Sequence, residues 1–300
     1  MIRLGLCCKF IDQPIKFRTA TANYLKRHKE KGEDPYVYLN DIVNNNVDSL
    51  EKAILYCHSI GVGSFRIGSD FLPISTHPDF HYTLKDLPDG SKLIAKLKEI
   101  ALLAKEKNVR LTFHPSQFVI LNSPKDDVVE KAIADLEYHA SIAELVGADV
   151  INIHGGGGYG DKLSALARFE ENFKHLSPKV KKRLTVENDD KIYTPNDLLP
   201  LCKQLNIPLV YDVHHHRCLK DILTEEQATN AALETWNREP LFHISSPLYG
   251  WDSNKTHHHH DYIDINDFPK FWKSIGPFTL EVEAKAKELA ILKFKKELSI

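Results

Sequence analysis

Eight short apolar, β-rich runs recur along this chain, each separated from the next by a longer stretch. They are Ile2–Leu6, Ser64–Ile67, Arg110–Phe113, Val150–Ile153, Leu184–Val186, Leu209–Tyr211, Phe242–Ser245 and Phe278–Val282. Between them lie helical patterns. Leu93–Lys107 is the clearest, with apolar residues three and four apart, and VDSLEKAILYCHSI, DVVEKAIADLEYHASIAELV, NDLLPLCKQL and the closing AKELAILKFKKEL are further examples. Ser123 before Pro124 and Thr194 before Pro195 are expected helix caps. Strand–helix alternation eight times over in 300 residues is the count of an α/β (β/α)8 TIM barrel. The competing fold is a doubly wound open sheet, whose dinucleotide-binding form carries a Gly-rich loop after the first strand. GLCCKF has no such loop. No low-complexity linker divides the chain, so residues 1–300 are expected to form a single domain, with one long irregular insertion at roughly Lys9–Asn46.

Composition narrows the function classes. The net charge of −2 argues against a chain that binds polyanions through bulk charge, so any such surface must be a local patch. The five cysteines are odd in number and show no C-x-x-C pairing, which favours a reduced compartment over a disulfide framework. No apolar run of membrane-spanning length and no signal-peptide pattern occurs, so no membrane association and a cytoplasmic location are expected.

In a (β/α)8 barrel the C-terminal strand ends converge on one rim, and function sits there. Strand three ends FHPSQF with His114, strand four INIHGG with His154, and strand five LTVEND with Glu187. Strand six ends VYDVHHH with Asp212 and then His215, strand seven runs LFHISS with His243, and strand eight ends LEVEAK with Glu283. His (16) and Asp plus Glu (41) fill about one position in five, so six such strand ends in a row arise by chance on the order of once in ten thousand. Carboxylates crowded in a half-buried site repel one another, and a divalent cation removes that repulsion. Imidazole and carboxylate without thiolate suit Mn²⁺, Zn²⁺ or Fe²⁺. Seven candidate ligands exceed one tetrahedral ion, so a cluster of two or three ions is expected. Paired ions suit phosphoryl displacement, with no protein nucleophile required. His215 is expected on the turn after strand six, with His214 either behind the ligands or in solvent. One histidine of His257–His260 is expected to reach the metals, and spacing alone does not choose it.

The motifs MIRLGLCC, FRIGSDFLP, FHPSQFV, NIHGGGGYGDK, TVENDD, YDVHHH, FHISSP and EVEAKAKE run in an order that resembles the UV damage endonuclease family over nearly the whole chain. The resemblance implies a barrel related to endonuclease IV and the xylose isomerase group. It implies a divalent metal cluster, most often Mn²⁺ with Zn²⁺ or Mg²⁺ as alternatives, and incision of damaged double-stranded DNA on the 5′ side of UV photoproducts. A monomer that joins the nucleoid during repair is expected. The ligands the resemblance implies are His114, His154, Glu187, Asp212, His215, His243, His259 and Glu283. Glu187 or Glu283 is also expected to steer the attacking water. The resemblance further implies that Gln117 and Phe118 probe the damage. Lys9 and Arg18, in the basic insertion after strand one, are expected to contact phosphate. Gly155–Gly158 are expected to permit either close approach of a phosphate or a tight turn.

Three positions depart from the pattern: Leu6 where some members have Tyr, Asp70 where some have His, and Leu241 where some have a Lys close to the metals. The rival readings are an apurinic-site endonuclease, a sugar isomerase on the same barrel, and a catalytically dead DNA-binding barrel.

Overall fold

A computed structural model describes residues 2–299. Eight parallel strands close into a barrel in sequence order: β1 (Ile2–Cys7), β2 (Ser64–Ile67), β3 (Arg110–Phe113), β4 (Val150–His154), β5 (Leu184–Glu187), β6 (Leu209–Asp212), β7 (Leu241–Ile244) and β8 (Phe278–Val282). β8 pairs back onto β1, with Ile2 opposite Phe278 and Gly5 opposite Glu281. The open-sheet alternative is thereby excluded. The main covering helices are α1 (Ala22–Glu30), α2 (Pro35–Ser59), α3 (Gly90–Glu106), α4 (Asp126–Val146), α5 (Lys162–Phe173), α6 (Pro178–Lys181), α7 (Pro195–Leu205), α8 (Val213–Cys218), α9 (Glu225–Leu233) and α10 (Lys287–Leu298). Among the described residues no helix is long and apolar enough to cross a membrane.

Local chemistry explains several boundaries. Thr194 caps α7 in a reciprocal box with Asp197, and Pro195 occupies the first turn, where its missing N–H costs nothing. α4 starts later than the sequence suggests: Lys125 is its cap, and Ser123 instead accepts a bond from the Lys125 N–H at 3.1 Å. The segment read as an irregular insertion contains α1 and the first half of α2. Asp34 followed by Pro35 starts α2, a signal obscured by the polar NDIVNNN run. Between β7 and β8 the expected helix is replaced by irregular chain and two short 3₁₀ turns.

Alternation along the strands splits the residues into two sets. Leu6, Phe65, Phe113, Ile153, Val186, Tyr211, Ile244 and Val282 belong to the buried apolar layer under the helices. The other set fills the barrel interior, and much of it is polar: Thr112, Asn152, Thr185 and Glu281 are all buried. Leu6 is therefore a core residue, and Cys7 is its inward neighbour. Leu241 packs with Val150 and Val210 in a small apolar cluster. It lies one inward step below His243, away from the rim.

The loop after β1 is tied down by buried polar groups. Glu288 accepts the backbone N–H groups of Ile11 and Asp12 at 2.6–3.0 Å. Asn46 accepts from Arg18 N at 2.7 Å and donates to Arg18 O and Phe71 O. These bonds hold Lys9 and Arg18 at the mouth of the barrel.

Candidate metal centre and active site

The inward side chains at the strand ends meet in one cluster. Three donor groups form, in each of which one ligand atom per residue lies within 4.8 Å of the others: His114–His243–Glu283, His114–His154–Glu187 and Glu187–Asp212–His215. His114 and Glu187 each appear in two groups, so the three are contiguous. Glu187 is the hub. Its Oε2 lies 2.9 Å from His114 Nε2 and 2.5 Å from Asn152 Nδ2, and its Oε1 lies 3.2 Å from His243 Nδ1 and 3.3 Å from His215 Nδ1.

Asp212 ends β6 and caps α8, accepting the His215 N–H at 2.8 Å. His215 thus sits in the first turn of a short helix rather than on a free turn, and its Nδ1 lies 3.0 Å from Asn188 O. His216 turns away to Tyr211 Oη and Asp221. His214 is not in solvent: it is buried beside Trp251 and His259, and burial pushes its imidazole down to about 4.

The four-histidine run is sorted by backbone pairing. His259 bridges Pro247 in antiparallel fashion, with Leu248 N donating to His258 O and His260 N to Ser246 O. That register turns His259 toward the centre, its Nδ1 3.7 Å from Glu283 Oε2. His257 and His259 line one cavity with Glu283, whereas His260 lines another.

Charge in the cluster is finely opposed. Burial would raise the Glu187 carboxyl, but His243, His154, His114 and His215 hold it well below the usual range. Burial likewise opposes, and Arg66, His243 and His259 overcome, so Glu283 is also held low. His243 and His215 are raised despite burial because carboxylates surround them. Burial lowers His154, which leaves a neutral imidazole with a free lone pair. Among the described residues, five buried atoms of the cluster lack a well-aligned hydrogen-bond partner: His154 Nδ1, Glu187 Oε1, Asp212 Oδ2 and both ring nitrogens of His243. Orphaned buried donors and acceptors are costly unless something occupies them. Neutral imidazole and ionised carboxylate oxygen are the donor types that suit divalent cations, so the cluster can hold metal.

A profile of the family described as UV-endonuclease UvdE matches residues 2–300. The chain belongs to that family. A curated relative from Bacillus cereus (strain G9842), named UV DNA damage endonuclease, is 34% identical over 297 residues, covering 95% of this chain and 90% of the relative. The crystal structure of SacUVDE superposes with a TM-score of 0.86 at 28% identity, over 100% of this chain and 99% of that one. Endonuclease IV from Thermus thermophilus shares the fold, with a TM-score of 0.61 at 17% identity over 83% of this chain and 94% of that one. The protein is accordingly a DNA endonuclease of UvdE type, with a role at UV damage.

Gln117 and Phe118 project from the β3–α4 loop of this UvdE-family enzyme. Phe118 is 77% exposed, so its ring does not pack in the core. Lys9, Arg18, Asp70 and His114 line a cavity of about 290 Å³, although Arg18 is also paired with Asp41 at 2.6 Å.

Several functional groups escape a reading of strand ends alone. Arg66 on β2 enters the barrel and lies 2.5 Å from Glu283 and 3.2 Å from Glu281. Glu281, one inward step below Glu283, sits 3.1 Å from His243 Nε2 and accepts from Thr112 at 2.5 Å. A carboxylate behind a ligating imidazole fixes its tautomer and orientation. The signal was available: two residues before each rim ligand is another inward residue.

Asn122 is the third such group. Its Nδ2 donates to Gly155 O and Gly157 O at 2.8 Å, and its Oδ1 accepts from Gly157 N at 3.2 Å. It thereby clamps the loop carrying Phe118 to the glycine loop after His154. A Cβ on Gly156, at φ +89°, would come within 2.2 Å of Asn122 Oδ1. Close packing against Asn122 and Tyr193 thus accounts for Gly155 and Gly156. Asn122→Ala is expected to destabilise the protein by about 1–3 kcal/mol, because backbone groups lose their partner. Urea denaturation checks this, and an unchanged midpoint would contradict the clamp.

Proposed function

We propose that this enzyme incises duplex DNA on the 5′ side of UV photoproducts, using two or three divalent cations, Mn²⁺ foremost. His114, His154, Glu187, Asp212, His215, His243, His259 and Glu283 would hold them. The observation that carries this reading is the set of three contiguous donor groups linked through His114 and Glu187, with an exposed aromatic on the neighbouring loop. When bound, such ions supply Lewis acidity toward water and phosphodiester oxygens.

The chain supplies orientation and charge. Glu187 and Glu283 stay ionised, so they steer water and hold cations as anions rather than acting as proton donors. Asn152 fixes one Glu187 oxygen, and Glu281 orients His243. Lys9 and Arg18 place the backbone at the mouth, and incision leaves a 3′-hydroxyl and a 5′-phosphate. Crosslinked pyrimidines stack poorly, so the Phe118 ring enters a damaged stack at lower cost than an intact one.

Three duplexes test the reading: one with a single cyclobutane dimer, one with an abasic site and one undamaged. Manganese-loaded enzyme is expected to cut the first on the 5′ side and to spare the undamaged one. Cutting of the abasic duplex alone would replace this reading with the apurinic one. Phe118→Ala is expected to lower incision of the dimer duplex by about tenfold or more, equivalent to one lost stacking contact of 1–3 kcal/mol. Its melting temperature should not change, since the ring is exposed. Undiminished dimer incision would remove Phe118 from damage probing.

A further inference from the structure

The family reading uses His259 of the four-histidine run and leaves His257 unexplained. His257, Lys285, Lys287 and Arg66 line a cavity of about 300 Å³ that also reaches Glu283 and His259. Lys285 and Lys287 form no ion pair among the described residues, unlike Arg66, which is engaged by Glu283 and Glu281. Lys285 is held in place by its backbone, which donates to His260 O at 3.1 Å. Lys287 adopts a left-handed conformation, φ +49°, at the start of α10. A chain with net charge −2 therefore places Arg66, Lys285 and Lys287 together beside its candidate metal cluster.

We infer that the cavity of His257, Lys285 and Lys287 is a subsite for a backbone phosphate of the incised strand, next to the scissile one. This rests on the reading under Proposed function. The geometry suits it in three ways. The cavity shares Glu283 and His259 with the metal cluster, so its occupant must lie adjacent to the reacting phosphodiester. Two flexible ammonium groups and an imidazole can surround a phosphate without reading base identity. The cavity with Lys9 and Arg18 shares His114 with the same cluster, so the two basic cavities leave the reacting position between them.

The test is steady-state incision of the dimer duplex by manganese-loaded full-length enzyme between 50 and 200 mM salt, for wild type, Lys285→Gln and Lys285→Gln/Lys287→Asn. Asparagine tolerates the left-handed backbone at 287. Each lost lysine is expected to make the slope of log(kcat/KM) against log[salt] shallower by about 1. The double variant is expected to raise KM about tenfold, with the loss falling on KM rather than kcat and with unchanged manganese content by mass spectrometry. Lys285→Arg/Lys287→Arg should restore the slope. Should the double variant fail to fold, Lys285→Gln alone decides, since that side chain is exposed. An unchanged slope and KM in a variant of a wild type that does cut would overturn the subsite alone. A wild type that leaves the dimer duplex intact would overturn the reading on which it rests.

Discussion

Glu187→Gln is expected to lower incision of UV-damaged duplex by more than about a hundredfold and to lower bound metal per chain. The hundredfold is a floor, because removing a group that only supports a ligand already costs 10–100-fold. Glu187 belongs to two of the three donor groups and is the one carboxylate they share. An amide retains the shape and can still meet Asn152, but it carries no charge to offset a cation. It also removes one of the anions that raise His243 and His215, leaving Asp212 beside His215 and Glu283 beside His243. Circular dichroism should show an intact fold, and metal analysis of the same sample should show the loss. Full metal content and full incision in Glu187→Gln would remove Glu187 from the centre.

Arg66→Met has the largest expected effect on stability. The guanidinium is nearly enclosed and lies beside two buried carboxylates, Glu281 and Glu283. Removing one member of a buried ion pair leaves the others uncompensated, at a cost of about 3–5 kcal/mol. Two features keep the cost from being larger. His243 lies between the same carboxylates, 3.1 Å from Glu281 and 3.4 Å from Glu283, and can carry part of the charge. A divalent cation near Glu283 would carry more. Chelator-treated Arg66→Met is therefore expected to unfold at markedly lower urea than wild type, and added Mn²⁺ should recover part of the difference. Equal stability of variant and wild type without metal would show that Arg66 does not balance these acids.

Much of this was legible in the sequence for a simple reason. A parallel strand buried on both faces is written as a short apolar run, and a polar residue at its end has one place to point. That logic reached His114, His154, Glu187, Asp212, His243 and Glu283, which the structure gathers into one cluster. It faltered where position depends on partners distant in the chain. Arg66 looks like a surface cation in FRIGS until the closed barrel sets it opposite Glu283. Asn122 looks like a loop residue until the glycine loop folds over it. The choice among His257–His260 needed the pairing with Ser246–Leu248, which no spacing rule contains. Leu241 shows the converse: its place two residues before His243 puts it inward but low, in an apolar layer away from the donors.

The most direct test of the whole account is a manganese titration of metal-free protein, following bound ions and incision of a single-dimer duplex in the same samples. Incision should be absent without metal and should rise with occupancy to two or three ions per chain. Incision that persists in excess chelator, or a protein that takes up no manganese at its His–Glu–Asp cluster, would contradict it.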